Sequence, residues 1–122
     1  MKKFTYKNYI NCYFNVGSYL ADNKAMAISI ESEKDGPIAT CTVFNDIGFY
    51  SENIVTIKNY SENSYMTKFL EKLGIVISIL NRVICNPAVY DTFFTENPQT
   101  IDTCFIDTGI LRQYCKKWNY DV

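Results

Sequence analysis

Histidine is absent from this chain of 122 residues, and its absence excludes several classes of active site. Without an imidazole there is no Ser-His-Asp or Cys-His nucleophile system, no Cys₂His₂ zinc site and no ordinary proton shuttle near neutral pH. The five cysteines form no Cys-x-x-Cys pair, and their number is odd. The sequence therefore predicts free thiols in a reducing compartment, with no catalytic residue, metal site or cofactor.

Basic charge is also scarce. The 12 basic residues include only two arginines, Arg82 and Arg112, and 13 acidic residues bring the formal net charge to −1. Proteins that bind nucleic acid usually carry a basic surface, because neutralising phosphates supplies much of their affinity. The composition therefore argues against nucleic acid as a partner.

Long hydrophobic runs are lacking as well. The longest spans residues 74–80, whereas a membrane-spanning helix needs about 20 apolar residues. The first 20 residues lack the apolar stretch of a signal peptide. We therefore expect a cytoplasmic protein with no membrane partner.

Alternating apolar and polar residues predict strands in the first half of the chain. Ile10, Cys12, Phe14 and Val16 alternate with polar side chains, and a similar alternation covers residues 26–31. A turn around Gly36 then leads into a β-branched segment at residues 38–44, which predicts a hairpin. Further strands are predicted at residues 54–57, 75–80 and 103–106.

Two segments have helical periodicity instead. In the first, the apolar face consists of Met66, Phe69, Leu70 and Leu73, the candidate N-caps are Ser61, Asn63 and Ser64, and Gly74 is the stop. A last helix should begin at Asp107 or Thr108, with Leu111, Tyr114, Cys115 and Trp118 on one face. The sequence thus predicts a single α+β domain over residues 1–122: a curved antiparallel sheet or partly open barrel, packed by one central helix, with a C-terminal helix.

The sequence around Asp107, Phe-Ile-Asp-Thr-Gly, is similar to the catalytic tripeptide of aspartic proteases, in which two carboxylates share a proton. A homodimer could supply the second carboxylate. A protease of this kind needs several strands after the tripeptide, whereas a helix is predicted to begin there. We therefore interpret Asp107 as a helix cap, and we expect the chain not to be an enzyme.

The densest polar cluster joins a strand to the first helix. It comprises Lys58, Asn59, Tyr60, Ser61, Glu62 and Asn63. Free N–H groups at a helix start can hold an anion, so this cluster is a candidate binding site, with Arg82 and Arg112 as further contributors. The alternative interpretation is a capped strand-to-helix turn.

Tyrosine is abundant, with ten residues. Aromatic side chains are enriched at binding surfaces because they bury a large area with little loss of entropy. Six tyrosines flank turns or alternate toward the polar side, so several are expected to be exposed: Tyr13, Tyr19, Tyr50, Tyr60, Tyr90 and Tyr120. Ordinary core packing is the alternative.

Three stretches together resemble a known family. They are residues 9–23, residues 35–45, and the cluster Lys58 to Asn63 followed by residues 70–75. Their order and spacing are similar to those of a family of small proteins of unknown function, encoded on plasmids, conjugative elements and phages of low-GC Gram-positive bacteria. The resemblance covers roughly residues 8–80. The chain has Asp-Gly-Pro at residues 35–37 where family members usually have Gly-Glu-Pro, and it diverges after residue 81.

The resemblance implies a mobile-element protein, and the missing catalytic residues favour action by contact. The leading hypothesis is a non-enzymatic protein that binds and inhibits a host protein, with a defence complex such as CRISPR-Cas as the target. The alternative is a small-molecule or nucleotide-signal binder that uses Lys58 to Asn63 with Arg82 or Arg112. In both hypotheses the protein could form a homodimer.

Overall fold

The computed structural model describes residues 1–85 and 99–120, in which eight strands and two α-helices are present. The strands are β1 (Phe4–Tyr6), β2 (Tyr9–Ser18), β3 (Met26–Ser32), β4 (Gly36–Thr40), β5 (Ile54–Asn59), β6 (Val76–Ile84), β7 (Thr100–Ile106) and β8 (Cys115–Trp118). The helices are α1 (Met66–Lys72) and α2 (Thr108–Gln113), and a 3₁₀ turn spans Ser61–Asn63. The α+β class is therefore confirmed.

The first sheet has the order β1-β2-β3-β4, and its neighbouring strands are antiparallel. The β3–β4 hairpin is confirmed, and Gly36 at its turn has a φ of +72°, which glycine adopts without strain. Strand β8 lies parallel to β2 and shares one side of it with β1. The long strand β2 is therefore the centre of this sheet.

The second sheet has the antiparallel order β5-β7-β6. The segment after β4 joins it to the first sheet, because the N–H of Cys41 donates to Ile28 O and its carbonyl accepts from Lys58 N–H, both at 2.8 Å. An isolated bridge between Thr42 and Ile57 continues this contact. The two sheets are not closed into a barrel.

Helix α1 packs its predicted face into a core that both sheets share. Met66 and Leu70 are buried, and Phe69 and Leu73 are half-buried against the same cluster. The predicted N-caps are wrong, because residues 61–63 form a 3₁₀ turn instead. Tyr65 occupies the N-cap position of α1 with left-handed backbone dihedral angles, and its side chain makes no capping hydrogen bond.

The last helix is shorter than predicted. It begins after Asp107, whose Oδ1 accepts the N–H of Ile110 at 3.0 Å, so the cap interpretation of Asp107 is confirmed. The predicted continuation of the helix to Trp118 is wrong, because β8 begins at Cys115. The edge of β2 beyond β1 offers unpaired backbone groups, and extended backbone at β8 can pair with them whereas a helix cannot.

The expectation of exposed tyrosines is wrong for Tyr13, Tyr50 and Tyr120, which are all buried. Each phenol ring packs inside while its hydroxyl donates a hydrogen bond, as Tyr120 does to the carbonyl of Lys24 at 2.6 Å. Tyr19 and Tyr60 are half-buried, and Tyr90 lies outside the described residues.

Candidate functional site

The predicted polar cluster begins with a surface ion pair. Lys58 Nζ lies 2.5 Å from Glu62 Oε1 and 5.3 Å from the centre of the Tyr60 ring. The hydrogen bond between the two side chains lowers the pKa of Glu62 to about 2 and raises that of Lys58. The ammonium of Lys58 is therefore already neutralised by a neighbouring carboxylate.

Two asparagines of the same cluster are structural. Asn59 is buried, and its side chain donates to Thr100 Oγ1 and accepts the N–H of Thr67, both at 3.0 Å. Because Thr67 lies in the first turn of α1, Asn59 supplies the acceptor that the predicted caps do not. Asn63 is buried too, and donates to the carbonyl of Thr40. These amides hold the strand-to-helix turn together, although Asn59 caps the helix and the predicted Ser61 and Asn63 do not.

Arg82 is bound to a buried carboxylate that the sequence did not reveal. Asp102 is wholly buried on β7 and lies opposite Arg82 on β6. The guanidinium donates from Nε to Oδ1 at 2.7 Å and from Nη2 to Oδ2 at 2.8 Å, and the hydroxyl of Thr67 donates to Oδ2 at 2.7 Å. Burial raises the pKa of Asp102, but the hydrogen bonds from Arg82, Thr67 and Thr100 outweigh it and hold the pKa below its ordinary value.

Arg112 belongs to a different part of the surface. Its guanidinium carbon lies 3.8 Å from the centre of the Trp118 ring, and the side chain is exposed on the last turn of α2. Arg112 also lines an open cleft of about 580 Å³, together with Met1, Lys2, Gln113 and Cys115. The structure thus connects Arg82 to Asn59 through Thr67 and Asp102, and it gives Arg112 a separate surrounding.

A smaller groove of about 210 Å³ lies beside Glu62 and Asn63. Lys7 crosses it by donating to the carbonyl of Glu62 at 2.7 Å. The hydroxyl of Tyr6 is buried next to it without a hydrogen-bond partner among the described residues, and burial raises the Tyr6 pKa to about 12. Because this hydroxyl is enclosed by protein, it offers no reactive group at neutral pH.

The cysteines offer no activated nucleophile. All five are free, as predicted. Burial raises the pKa of Cys104 to about 12, and it raises the pKa of Cys41 further. The thiolate is the reactive form, so these thiols are inert near neutral pH. Across residues 1–85 and 99–120, no group of three or more His, Cys, Asp or Glu side chains is arranged to hold a metal ion.

The most prominent surface feature is an exposed apolar edge of the second sheet, which we call the β6 surface. It consists of Ile77, Ile79, Leu80, Val83 and Ile84 on β6 and Phe105 on β7. These side chains occupy both faces of the edge strand, since Ile79 and Ile84 lie opposite the buried Cys104 and Thr100 whereas Val83 lies opposite Ile101. These are six of the twelve large hydrophobic residues that are exposed in the described parts of the chain. Ile77 and Leu80 are 58% and 50% exposed and lie at irregularities in the pairing with β7.

The chain matches no protein-family model, no curated protein and no solved structure. Within the described ranges, no helix is both long and apolar enough to cross a bilayer.

The sequence predicts a strand at residues 75–80, but it does not predict that the strand is exposed, because a short apolar run in a sequence is equally typical of a buried strand.

Proposed function

We propose that the chain is a non-enzymatic protein of a mobile element that binds and inhibits a host protein through the β6 surface. The observation that supports this proposal is the exposure of β6: only Val76, its first residue, is buried, and the other eight are exposed. Apolar side chains exposed along most of an edge strand favour pairing of that strand with another chain.

The edge of β6 strengthens the proposal. No strand in the described part of the chain pairs with the side of β6 that faces away from β7. Its backbone groups can therefore receive a strand of another protein, while its apolar side chains supply contact area. The one charged residue of β6, Arg82, already has its carboxylate in Asp102, so it adds little electrostatic opposition to an apolar partner.

The resemblance at residues 8–80 supplies the context for the choice of target. Small proteins of mobile elements act inside a host that defends itself, so we propose a host defence complex, such as CRISPR-Cas, as the target. In the same proposal, the two sheets form one curved layer packed by α1 as the central helix of a single domain.

The alternative, a nucleotide-signal binder at Lys58 to Asn63, has less support. Lys58 and Arg82 are each neutralised by a carboxylate, and Arg112 contacts Trp118 instead of the cluster. Asn59 and Asn63 are buried in structural hydrogen bonds. A ligand at this turn would have to displace contacts that hold α1 in place.

The test is protection of a phage in a low-GC Gram-positive host that carries an active CRISPR-Cas system against it. We expect production of the chain to restore plaques and Leu80→Lys to abolish the effect, because a lysine at the β6 surface would be desolvated by the partner. Leu20→Lys is the matched control, since Leu20 is fully exposed away from β6. Lack of protection by the unchanged chain, or full protection by Leu80→Lys, would contradict the proposal.

A second copy of the chain is the other occupant that the β6 surface could accept. Light scattering coupled to size-exclusion chromatography distinguishes the two cases. A monomer that still protects the phage supports a host partner. A dimer that Leu80→Lys dissociates assigns the surface to self-association instead.

A further inference from the structure

The fold brings together basic residues from the two ends of the described chain. The backbone N–H of Lys2 donates to the carbonyl of Gln113 at 2.8 Å, which places the segment before β1 beside α2. Lys116 and Lys117 follow directly in β8, and both side chains are exposed. The open cleft of about 580 Å³ that contains Lys2 and Arg112 lies at this junction.

The charges at this junction are free to attract a ligand. Lys2, Arg112, Lys116 and Lys117 form no ion pair with any residue in the described ranges, whereas Lys58 and Arg82 do. Among the residues that the structure describes, no carboxylate lines the cleft. The positive field here is therefore local, in a chain whose formal net charge is −1.

Aromatic rings hold three of these cations in position. Arg112 lies on Trp118 at 3.8 Å from the ring centre, Lys2 lies 5.9 Å from that of Tyr114, and Lys116 lies 4.9 Å from that of Tyr13. A guanidinium held against an aromatic ring can still donate its N–H groups to phosphate oxygens in pairs. Because the cations occupy these ring faces, the faces are not available for stacking a nucleobase.

From this arrangement we infer that the cleft binds the phosphate groups of a small polyphosphate ligand. Arg112 and Lys2 contact the phosphates directly, and Lys116 and Lys117 add to the attraction. The site is separate from the β6 surface, and it does not depend on the function proposed for that surface. The sequence does not indicate this cluster, because Lys2 and Lys116 lie at opposite ends of the chain and come together only through the pairing of β8 with β2.

Trp118 makes the test direct, since it is the only tryptophan in the chain. We propose to titrate the protein with sodium tripolyphosphate at low salt, to follow Trp118 fluorescence, and to confirm binding by calorimetry. Arg112→Gln and Lys2→Gln should each weaken binding at least tenfold, which corresponds to about 1.4 kcal/mol. Lys34→Gln, an exposed lysine on the β3–β4 turn, is the control and should bind as the unchanged chain does.

Three further results decide the inference. Binding should weaken as sodium chloride rises, because the attraction is between exposed charges. Adenosine triphosphate should bind no more tightly than tripolyphosphate. Tenfold tighter binding would contradict the inference that the cleft contacts only the phosphate groups. Absence of heat and of fluorescence change at millimolar tripolyphosphate, or unchanged binding by Lys2→Gln with an unaltered melting temperature, would overturn the inference.

Discussion

Replacing Arg82 by glutamine tests the buried polar network of the second sheet. In the unchanged chain, Asp102 is wholly buried and receives two hydrogen bonds from the Arg82 guanidinium, at 2.7 and 2.8 Å. The variant leaves the carboxylate in place with the hydroxyl of Thr67, but it removes the counter-charge. An ionised carboxylate without a nearby cation is strongly disfavoured in a protein interior.

The expected loss follows from the burial of the two partners. Removing one member of a fully buried ion pair costs about 3–5 kcal/mol. The side chain of Arg82 is 40% exposed, so water already screens the pair and can reach the space that glutamine leaves. We therefore expect the free energy of unfolding at pH 7 to fall by about 2–3 kcal/mol, and the melting temperature to fall by roughly 10 °C.

The pH dependence should change sign. In the unchanged chain the pKa of Asp102 lies below its ordinary value, so its contribution is complete above that ordinary value and is lost as the pH falls through the lowered pKa. In Arg82→Gln, burial acts without the cation and raises the pKa above the ordinary value. The folded variant then takes up a proton as the pH falls, so the stability difference between the two proteins should narrow from pH 7 toward pH 4.

Urea unfolding followed by Trp118 fluorescence measures both effects. The control is Lys58→Gln, which breaks the exposed pair with Glu62 and should change the unfolding midpoint little. A loss below about 1 kcal/mol for Arg82→Gln would show that Asp102 does not need its counter-charge. A stability difference that widens as the pH falls would refute the assignment of the effect to Asp102 ionisation.

Two further predictions concern single polar groups. Asp107→Ala should lower the free energy of unfolding by about 1 kcal/mol in urea titrations, because the cap on Ile110 N–H is lost, while Asp107→Asn should retain most of the stability. A loss of phage protection by a folded Asp107→Asn would instead revive a catalytic role for the carboxylate. Tyr6→Phe should leave the melting temperature unchanged or slightly higher, since the buried hydroxyl has no partner in the described residues. A clear decrease in scanning calorimetry would show that the hydroxyl is satisfied in solution.

Local patterns predicted the parts of the fold that depend on neighbours in the sequence. The β3–β4 hairpin follows from alternation and from Gly36, and the buried face of α1 follows from its spacing. The Asp107 cap needs only a partner three residues away. In each case the stabilising contact lies within a few residues, so the sequence carries the information directly.

The features that failed depend on contacts distant in sequence. Residues 115–118 have helical spacing, but they form a strand because they pair with the edge of β2, about 100 residues earlier in the sequence. The cap of α1 comes from Asn59 across a 3₁₀ turn, and not from the serines next to the helix. A tertiary partner overrides local propensity in both cases, since propensity differences are well below 1 kcal/mol per residue.

The buried pair and the exposed strand explain each other. A strand that buries only Val76 gains little from the hydrophobic effect, so apolar contacts cannot hold β6 in place. The backbone hydrogen bonds to β7 and the two hydrogen bonds between Arg82 and Asp102 must hold β6 in place instead. Burying Asp102 requires a cation on β6, and the ion pair with that cation holds β6 in place although the apolar side chains around it stay exposed. The polar network thus anchors an edge strand whose apolar side chains remain exposed.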